Sequence, residues 1–82
     1  MKRVRVFFDE RVARFVRRRQ WHPTQRIRNV SGGIELTMDV AGTLEVANWV
    51  LGFGDKAMVL EPPELRSDIA NELSRAASAY SR

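Results

Sequence analysis

Two different spacings of hydrophobic and polar residues divide the chain into segments. Four segments are short and apolar-rich, most of them alternating apolar with polar side chains as β-strands do: residues 3–8, 25–30, 34–40 and 56–60. Three others repeat apolar residues every three or four positions, as amphipathic helices do: residues 10–20, 44–51 and 62–80. The predicted order is therefore β-α-β-β-α-β followed by one further helix.

Residues at the segment ends sharpen this prediction. Asp9 and Thr43 are expected to cap the first two helices, and Pro63 suits the first turn of the third. Pro23 and Gly52 are expected to end the first two helices. The apolar stripes of the three helices are predicted to be Val12, Phe15 and Val16; Leu44, Ala47, Val50 and Leu51; and Leu65, Ile69, Leu73, Ala76 and Tyr80.

The element order predicts an α+β fold of the ferredoxin-like βαββαβ type. In that arrangement two helices cover one face of a four-stranded antiparallel sheet. Residues 3–61 would form this core and residues 62–80 an added C-terminal helix. With 82 residues, the chain has room for one domain and not for two.

Charge is distributed unevenly along the chain. Residues 1–30 contain ten Lys or Arg and two acids, a local net charge of +8, whereas residues 31–82 contain four bases and eight acids, a local −4. Twelve of the fourteen bases are Arg, which favours planar, bidentate or stacked contacts. The asymmetry indicates either an anionic partner or two halves of the fold that neutralise each other.

The residue types present argue against enzymatic chemistry. No cysteine is available for a disulfide, a thiolate metal site or a nucleophile, and His22 is the only histidine. Ser31 has no partners that would make a hydrolytic triad with His22. We therefore expect a non-enzymatic domain without metal or cofactor. No apolar run approaches the ~20 residues of a membrane span, so we also expect a soluble, cytoplasmic protein.

The candidate binding segment is RRRQWHPTQRIR, residues 17–28. Single-stranded nucleic acid is bound by cationic grooves beside flat surfaces on which bases stack, and this segment supplies both. Arg14 and the three arginines at 17–19 would neutralise phosphates, and Trp21 and His22 would stack or shape a pocket. The strand would be positioned by Gln25, Arg26 and Arg28. The full predicted set is Arg14, Arg17, Arg18, Arg19, Trp21, His22, Gln25, Arg26 and Arg28. Two alternatives stay open: a solvated arginine face with Trp21 in the core, and a His22 that caps helix carbonyls or lines a contact surface.

A second predicted surface is formed by apolar residues that would contact another protein. The outer sheet face should carry arginines opposite Glu35 and Asp39, and such cross-strand pairs favour a protein contact there over nucleic acid. The predicted interface residues are Phe7, Trp49, Leu73, Ala76 and Tyr80. Trp49 is equally consistent with the edge of the core, and the last helix with packing on its own sheet.

Three stretches, in this order and spacing, resemble a known family. They are RRRQWHPTQRI after the first helix, NWVLGFG at the end of the second, and KAMVLEPPELRSDIANEL across the last strand and helix. Over residues 3–80 they resemble the WCX domain, the C-terminal extension of WYL-domain transcriptional regulators. The resemblance implies a bacterial regulator in which a helix-turn-helix domain and a WYL domain precede this module. Neither is present in the chain, so it looks like an excised domain.

The resemblance also implies partners and a ligand. Proteins of this type are dimers in which WYL and WCX domains lie together and sense a ligand, which for several members is single-stranded DNA and a link to DNA damage. The expected partners are thus the chain's own WYL and helix-turn-helix domains, a second protomer, and a single-stranded nucleic-acid effector. The alternative is a pure interaction module that docks on the WYL domain or the partner protomer without touching ligand. A stand-alone RRM-like RNA binder is disfavoured because the outer sheet face has few aromatic residues.

Overall fold

A computed structural model describes residues 1–82 and contains the predicted elements in the predicted order. The strands are β1 (Lys2–Asp9), β2 (Arg26–Val30), β3 (Gly33–Val40) and β4 (Ala57–Glu61); the helices are α1 (Glu10–Arg17), α2 (Leu44–Leu51) and α3 (Pro63–Tyr80), with a short 3₁₀ turn at Gly54–Lys56. The sheet is antiparallel with strand order β2-β3-β1-β4. The predicted α+β, ferredoxin-like fold with an added C-terminal helix is confirmed.

The core lies between the sheet and the helices and contains only hydrophobic side chains. Val4, Val6 and Phe8 of β1 are fully buried, and Leu36 of β3 lies opposite Val6 in the register. Because successive side chains of a strand point to opposite faces, the residues between them lie on the outer face. Inward residues of β1, β3 and β4 make up eight of the thirteen buried positions: Val4, Val6, Phe8, Ile34, Leu36, Met38, Val40 and Val59.

Only one of the two predicted side-chain caps forms. The carboxylate of Asp9 accepts a hydrogen bond from the backbone N–H of Arg11 at 2.9 Å, because its backbone is extended (φ −75°, ψ 171°). Thr43 occupies the corresponding position before α2, but its backbone is already helical (φ −107°, ψ −4°) and its side chain makes no capping bond. The prediction of a Thr43 side-chain cap is wrong. Helix α1 also ends at Arg17, three residues earlier than predicted.

In the predicted stripes of the first two helices, two residues are exposed. Phe15 is 52% exposed and Leu44 is 75% exposed, whereas Val16 and Val46 are buried. At about 100° per residue, Phe15 lies about 100° around α1 from Val16, and Leu44 lies about 200° around α2 from Val46. Phe15 therefore falls at the edge of the buried stripe, and Leu44 on the opposite side of its helix.

Helix α3 packs on the domain through its first two turns. Leu65 and Ile69 are buried, but every residue from 70 to 80 is exposed, including Leu73 at 42% and Tyr80 at 93%. These eleven residues extend the helix about 16 Å past its last buried residue. The interpretation in which Leu73, Ala76 and Tyr80 pack against their own sheet is wrong. None of the helices is both long and apolar enough to span a membrane.

Candidate nucleic-acid interface

The turn between α1 and β2 is held together by the side chain of Gln25. Its Oε1 atom accepts hydrogen bonds from the backbone N–H groups of Trp21 (2.6 Å) and His22 (3.2 Å), and its Nε2 atom donates to the carbonyl oxygen of Arg19 (3.2 Å). Both ends of the amide are therefore engaged within the protein. Gln25 fixes the geometry of the turn rather than offering a free amide to a ligand.

His22 connects the same turn to β3. Its Nδ1 atom accepts a hydrogen bond from the backbone N–H of Thr24 (3.2 Å) and lies 2.8 Å from Thr24 Oγ1. The Thr24 hydroxyl in turn accepts from the backbone N–H of Asp39 (2.9 Å). His22 thus makes no bond to the carbonyls of α1, and the interpretation of this residue as a helix cap is wrong. Its ring instead lines a cavity beside the turn.

A row of aromatic rings runs from the surface at α1 into the core. Phe15 lies 6.1 Å from Trp21, and Trp21 lies 5.0 Å from Trp49, measured between ring centroids. Trp49 continues the row by packing against Phe8 and Phe53. Trp49 is half-buried at the core edge, which favours that interpretation of it over a free interface anchor.

Trp21 combines a structural contact with an accessible ring. It is half-buried, and its indole Nε1 atom donates a hydrogen bond to the carbonyl oxygen of Val16 at 2.9 Å. The guanidinium carbon of Arg19 lies 5.3 Å from the centre of the Trp21 ring, within range of a cation–π contact. The two interpretations of Trp21, as a core residue and as part of a binding surface, therefore describe different parts of one side chain.

A cavity of about 450 Å³ opens beside this turn. Trp21, His22 and Trp49 line one part of it, and the end of β3 and the start of α2 line the rest, through Met38, Val40, Ala41, Gly42, Glu45 and Val46. Its size falls within the range of about 300–1,000 Å³ that is usual for small-molecule sites. It assembles from two parts of the sequence that are well separated, residues 21–22 and residues 38–49.

A smaller groove of about 270 Å³ runs along the exposed side of α1. It is lined by Glu10, Arg11, Arg14, Phe15 and Arg18. Phe15 connects the two concave features, because it lines the groove and packs against Trp21, which lines the cavity.

One groove arginine is already neutralised by the protein. Arg11 donates to the carboxylate of Asp9 and lies 3.7 Å from a carboxylate oxygen of Asp55. The hydrogen bond from Arg11 lowers the pKa of Asp9, and the same bond raises the pKa of Arg11. Arg14 and Arg18 have no such partner, so the groove retains free positive charge.

The end of α1 and the following residues carry four exposed arginines outside every ion pair of the protein. They are Arg14, Arg17, Arg18 and Arg19. Arg14 and Arg18 line the groove and Arg19 lies over Trp21, while Arg17 is exposed and lines neither concave feature. The structure therefore brings three of the four together with aromatic surface.

Three of the four arginines on the outer sheet face are neutralised, as their opposition to acids predicts, whereas Arg26, opposite Thr37, is exposed and has no ion-pair partner. Arg3 pairs with Asp39 at 3.4 Å, and Arg5 and Arg28 both reach Glu35, at 3.2 Å and 2.8 Å. The hydrogen bonds from Arg28 and, second, from Arg5 lower the pKa of Glu35. This face therefore has little net positive charge to offer an anion.

The predicted binding set divides between two faces of the sheet. Arg26 and Arg28 lie opposite Thr37 and Glu35 in the register, on the outer face, whereas the cavity and α1 lie on the inner side. Phe7 is half-buried on that same outer face, opposite Glu35. Arg26 and Arg28, which belong to the same predicted binding set as the α1 arginines, therefore lie on the opposite side of the sheet from them.

Sequence reasoning misses two features of this region. It places Phe15 in the core, although the angle between Phe15 and Val16 on the helix puts Phe15 at the edge of the buried stripe. It also leaves out Glu45, which no linear pattern connects to Trp21, because only the fold brings α2 beside the turn. No three His, Cys, Asp or Glu side chains converge to hold a metal ion.

Comparison with known proteins agrees with the sequence motifs. No curated protein shows a significant match to the chain. The family model for the WCX domain matches residues 2–77, which is almost the whole chain. The chain therefore belongs to the WCX domain family.

Proposed function

We propose that this domain is a non-enzymatic regulatory module, the C-terminal domain of a WYL-type transcriptional regulator of the bacterial cytoplasm. In this proposal it supplies part of the binding site for an anionic effector, and that effector is single-stranded DNA. Membership of the WCX family supports the regulatory role. The observation that carries the ligand is the cluster of unpaired arginines beside exposed aromatic surface at the end of α1.

The groove on α1 has the composition that single strands require. Arg14 and Arg18 are one helical turn apart, so both guanidinium groups reach the same side of the helix, with Phe15 between them. Guanidinium groups bind phosphate oxygens in bidentate geometry, and exposed aromatic rings accept unpaired bases. A duplex keeps its bases stacked inside, so the exposed ring favours a single strand.

Ion pairs on the outer sheet face neutralise arginines there, so an anion is attracted more strongly to the end of α1. On the outer sheet face, Glu35 and Asp39 pair with three arginines, whereas no acid pairs with the four arginines that end α1. The densest cluster of unpaired positive charge therefore lies at one end of one helix, whereas the other unpaired arginines are isolated. Such a focused potential raises the local concentration of a polyanion.

Fluorescence anisotropy of a labelled single-stranded DNA, titrated with the domain from low to physiological salt, tests the proposal. The double variant Arg14→Gln/Arg18→Gln is compared with Arg26→Gln/Arg28→Gln, which removes the same charge from the other face. The groove variant should lose most of the affinity and lower the log–log salt slope by about 0.7 for each phosphate that it no longer binds.

The outer-face variant should retain the wild-type salt slope, and duplex DNA should compete poorly. Equal reductions in affinity for both variants would mean that binding follows net charge rather than this groove. Absence of binding at low salt would overturn the proposal.

The exposed half of α3 favours a second function, that of an interaction module. Leu73 and Tyr80 stand on a helix segment that is exposed throughout, and a hydrophobic contact with the WYL domain or a second protomer would bury them. If the partner is a second copy, light scattering should show a mass that rises with concentration. The variant Leu73→Glu/Tyr80→Glu should then remain monomeric, and a wild-type domain that is monomeric at every concentration would exclude the second copy as partner.

A further inference from the structure

The cavity beside Trp21 contains one formal charge, and that charge is negative. Glu45 is the only acid or base with a full charge among the lining residues, and its carboxylate takes part in no hydrogen bond or ion pair. The rest of the lining is mostly apolar or aromatic, with buried Met38, Val40 and Val46 on one side and the two indoles on the other. A guest in this cavity would therefore find flat apolar surface and a single strong acceptor.

The surroundings of the cavity have the opposite sign. Arg19 lies over the ring of Trp21, which forms part of the wall, and the groove with Arg14 and Arg18 adjoins the cavity through Phe15, which packs on Trp21. A small anion attracted by these arginines would be repelled by Glu45 inside. A simple cation suited to Glu45 would be repelled by the arginines outside. A nucleotide meets both requirements, because its phosphate is anionic and its base is planar and carries N–H donors.

We propose that the cavity receives one base of the bound single strand, and that Glu45 makes guanine the preferred base. This inference rests on the proposed function, which it extends from phosphate binding to base selection. The Watson–Crick edge of guanine presents two adjacent donors, the N1–H and the 2-amino group, which match the two oxygens of a carboxylate. Adenine and cytosine each place a ring-nitrogen acceptor beside their amino group, and thymine places carbonyl oxygens on both sides of its N3–H.

A base of a single strand can enter the cavity by leaving its stacked neighbours, without the breaking of a base pair. A single strand has no partner bases, so extrusion of one base requires only unstacking. The arginines on α1 can hold the neighbouring phosphates, since Phe15 of the groove contacts Trp21 of the cavity wall. The groove and the cavity thus bind different parts of the same strand.

The test uses the fact that both tryptophans of the chain line this cavity. A base that enters should shield them from acrylamide, so protection of intrinsic fluorescence reports occupancy of the cavity itself. Anisotropy on the same samples reports total binding. The probes are an oligothymidylate, the same oligomer with one central dG, and the same oligomer with central inosine, which lacks the 2-amino group.

The dG oligomer should bind about tenfold more tightly than oligothymidylate, a ratio expected for one bidentate base contact, and inosine should fall between them. The variant Glu45→Gln should lose this preference and keep the affinity for oligothymidylate. Glu72→Gln, an equal change of charge on exposed α3, should behave as wild type. Because Glu45 is exposed and makes no hydrogen bond, its replacement should leave the fold intact, which far-UV circular dichroism checks.

Each other outcome is decisive. Binding by anisotropy without protection of the tryptophans would show that no base enters the cavity and would overturn this inference while leaving the proposed function standing. Equal affinity for the dG and thymidylate oligomers would overturn the role of Glu45. No binding of any oligomer would overturn the inference together with the function on which it rests.

Discussion

Trp21 and Trp49 differ in one respect that stability measurements can detect. The Nε1 atom of Trp21 donates to the carbonyl oxygen of Val16 at 2.9 Å, whereas the Nε1 atom of Trp49 is buried and has no partner. The two rings lie 5.0 Å apart and both pack on the core. Replacement of either by Phe removes the same atoms but has opposite consequences for hydrogen bonding.

The magnitude follows from that difference. The hydrogen bond removed in Trp21→Phe contributes about 1 kcal/mol, whereas Trp49→Phe removes an unsatisfied buried donor that costs at least about 1 kcal/mol. Both residues are half-buried, so the comparison takes the reduction in packing as equal in the two variants. Trp21→Phe should therefore be less stable than Trp49→Phe by about 2 kcal/mol. For a domain of this size that corresponds to roughly 10 °C in Tm.

Urea unfolding followed by far-UV circular dichroism measures the difference, because a fluorescence signal would change with the substitutions themselves. The two variants should unfold with the same m-value and different midpoints. Equal midpoints, or a lower midpoint for Trp49→Phe, would refute the assignment of the two hydrogen-bonding states. A change in m-value would show that a substitution had altered the folded or unfolded state more broadly.

Three further substitutions or truncations test separate parts of the structure. The pKa of Glu35 in the folded domain is below its usual 4.5, so the ionised carboxylate contributes its full stability above about pH 4.5, and this stability is lost as the pH falls through the lowered pKa. In thermal melts, Glu35→Gln should therefore lose less Tm on acidification than wild type does. Parallel profiles of Tm against pH would contradict this. A Cβ at Gly33 would overlap the carbonyl oxygen of Phe8, so Gly33→Ala should strongly lower Tm. A Cβ at Gly42 would meet no atom within 4 Å, so the free energy of unfolding of the control Gly42→Ala should stay within about 0.5 kcal/mol of the wild-type value. Removal of residues 74–82 should leave the urea midpoint nearly unchanged, because that segment is exposed throughout; a large drop would reveal a stabilising contact.

The sheet can be predicted from sequence because its signal is local. Alternation in β1 and β3 sets which side chains face the helices, and the buried Val4, Val6 and Phe8 follow from it directly. The same alternation places acids and arginines opposite one another on the outer face of the sheet. Helix ends are less predictable, since Thr43 has a capping side chain but lacks the extended backbone that a cap requires.

The candidate site can be predicted only in part, because proximity in the chain is a poor guide to proximity on a folded surface. Arg19 and Arg26 are close in sequence, but the turn between them carries the chain from α1 to a strand whose outward residues lie on the other side of the sheet. The cavity shows the converse, since Glu45 and Trp21 are distant in sequence and line one space. Arginine content along the chain is therefore visible in the sequence, whereas its division between two faces is visible only in the fold.

The charge asymmetry of the sequence has two different outcomes in the fold. On the sheet, acids of the second half neutralise arginines of the first half, as in the pairs of Glu35 with Arg5 and Arg28. At the end of α1 no acid provides this compensation. Cations in the last turn of a helix stabilise the negative end of its dipole, and Arg14 and Arg17 occupy that turn of α1.

Arg18 and Arg19 follow the last turn of the helix, and a bound anion would relieve the repulsion among the four guanidinium groups. The same four side chains would cost the isolated domain stability if they served only as a solvated surface, because like charges that share one helix end repel one another. The uncompensated arginines at the end of α1 are thus better explained by the proposed anionic partner than by the stability of the domain.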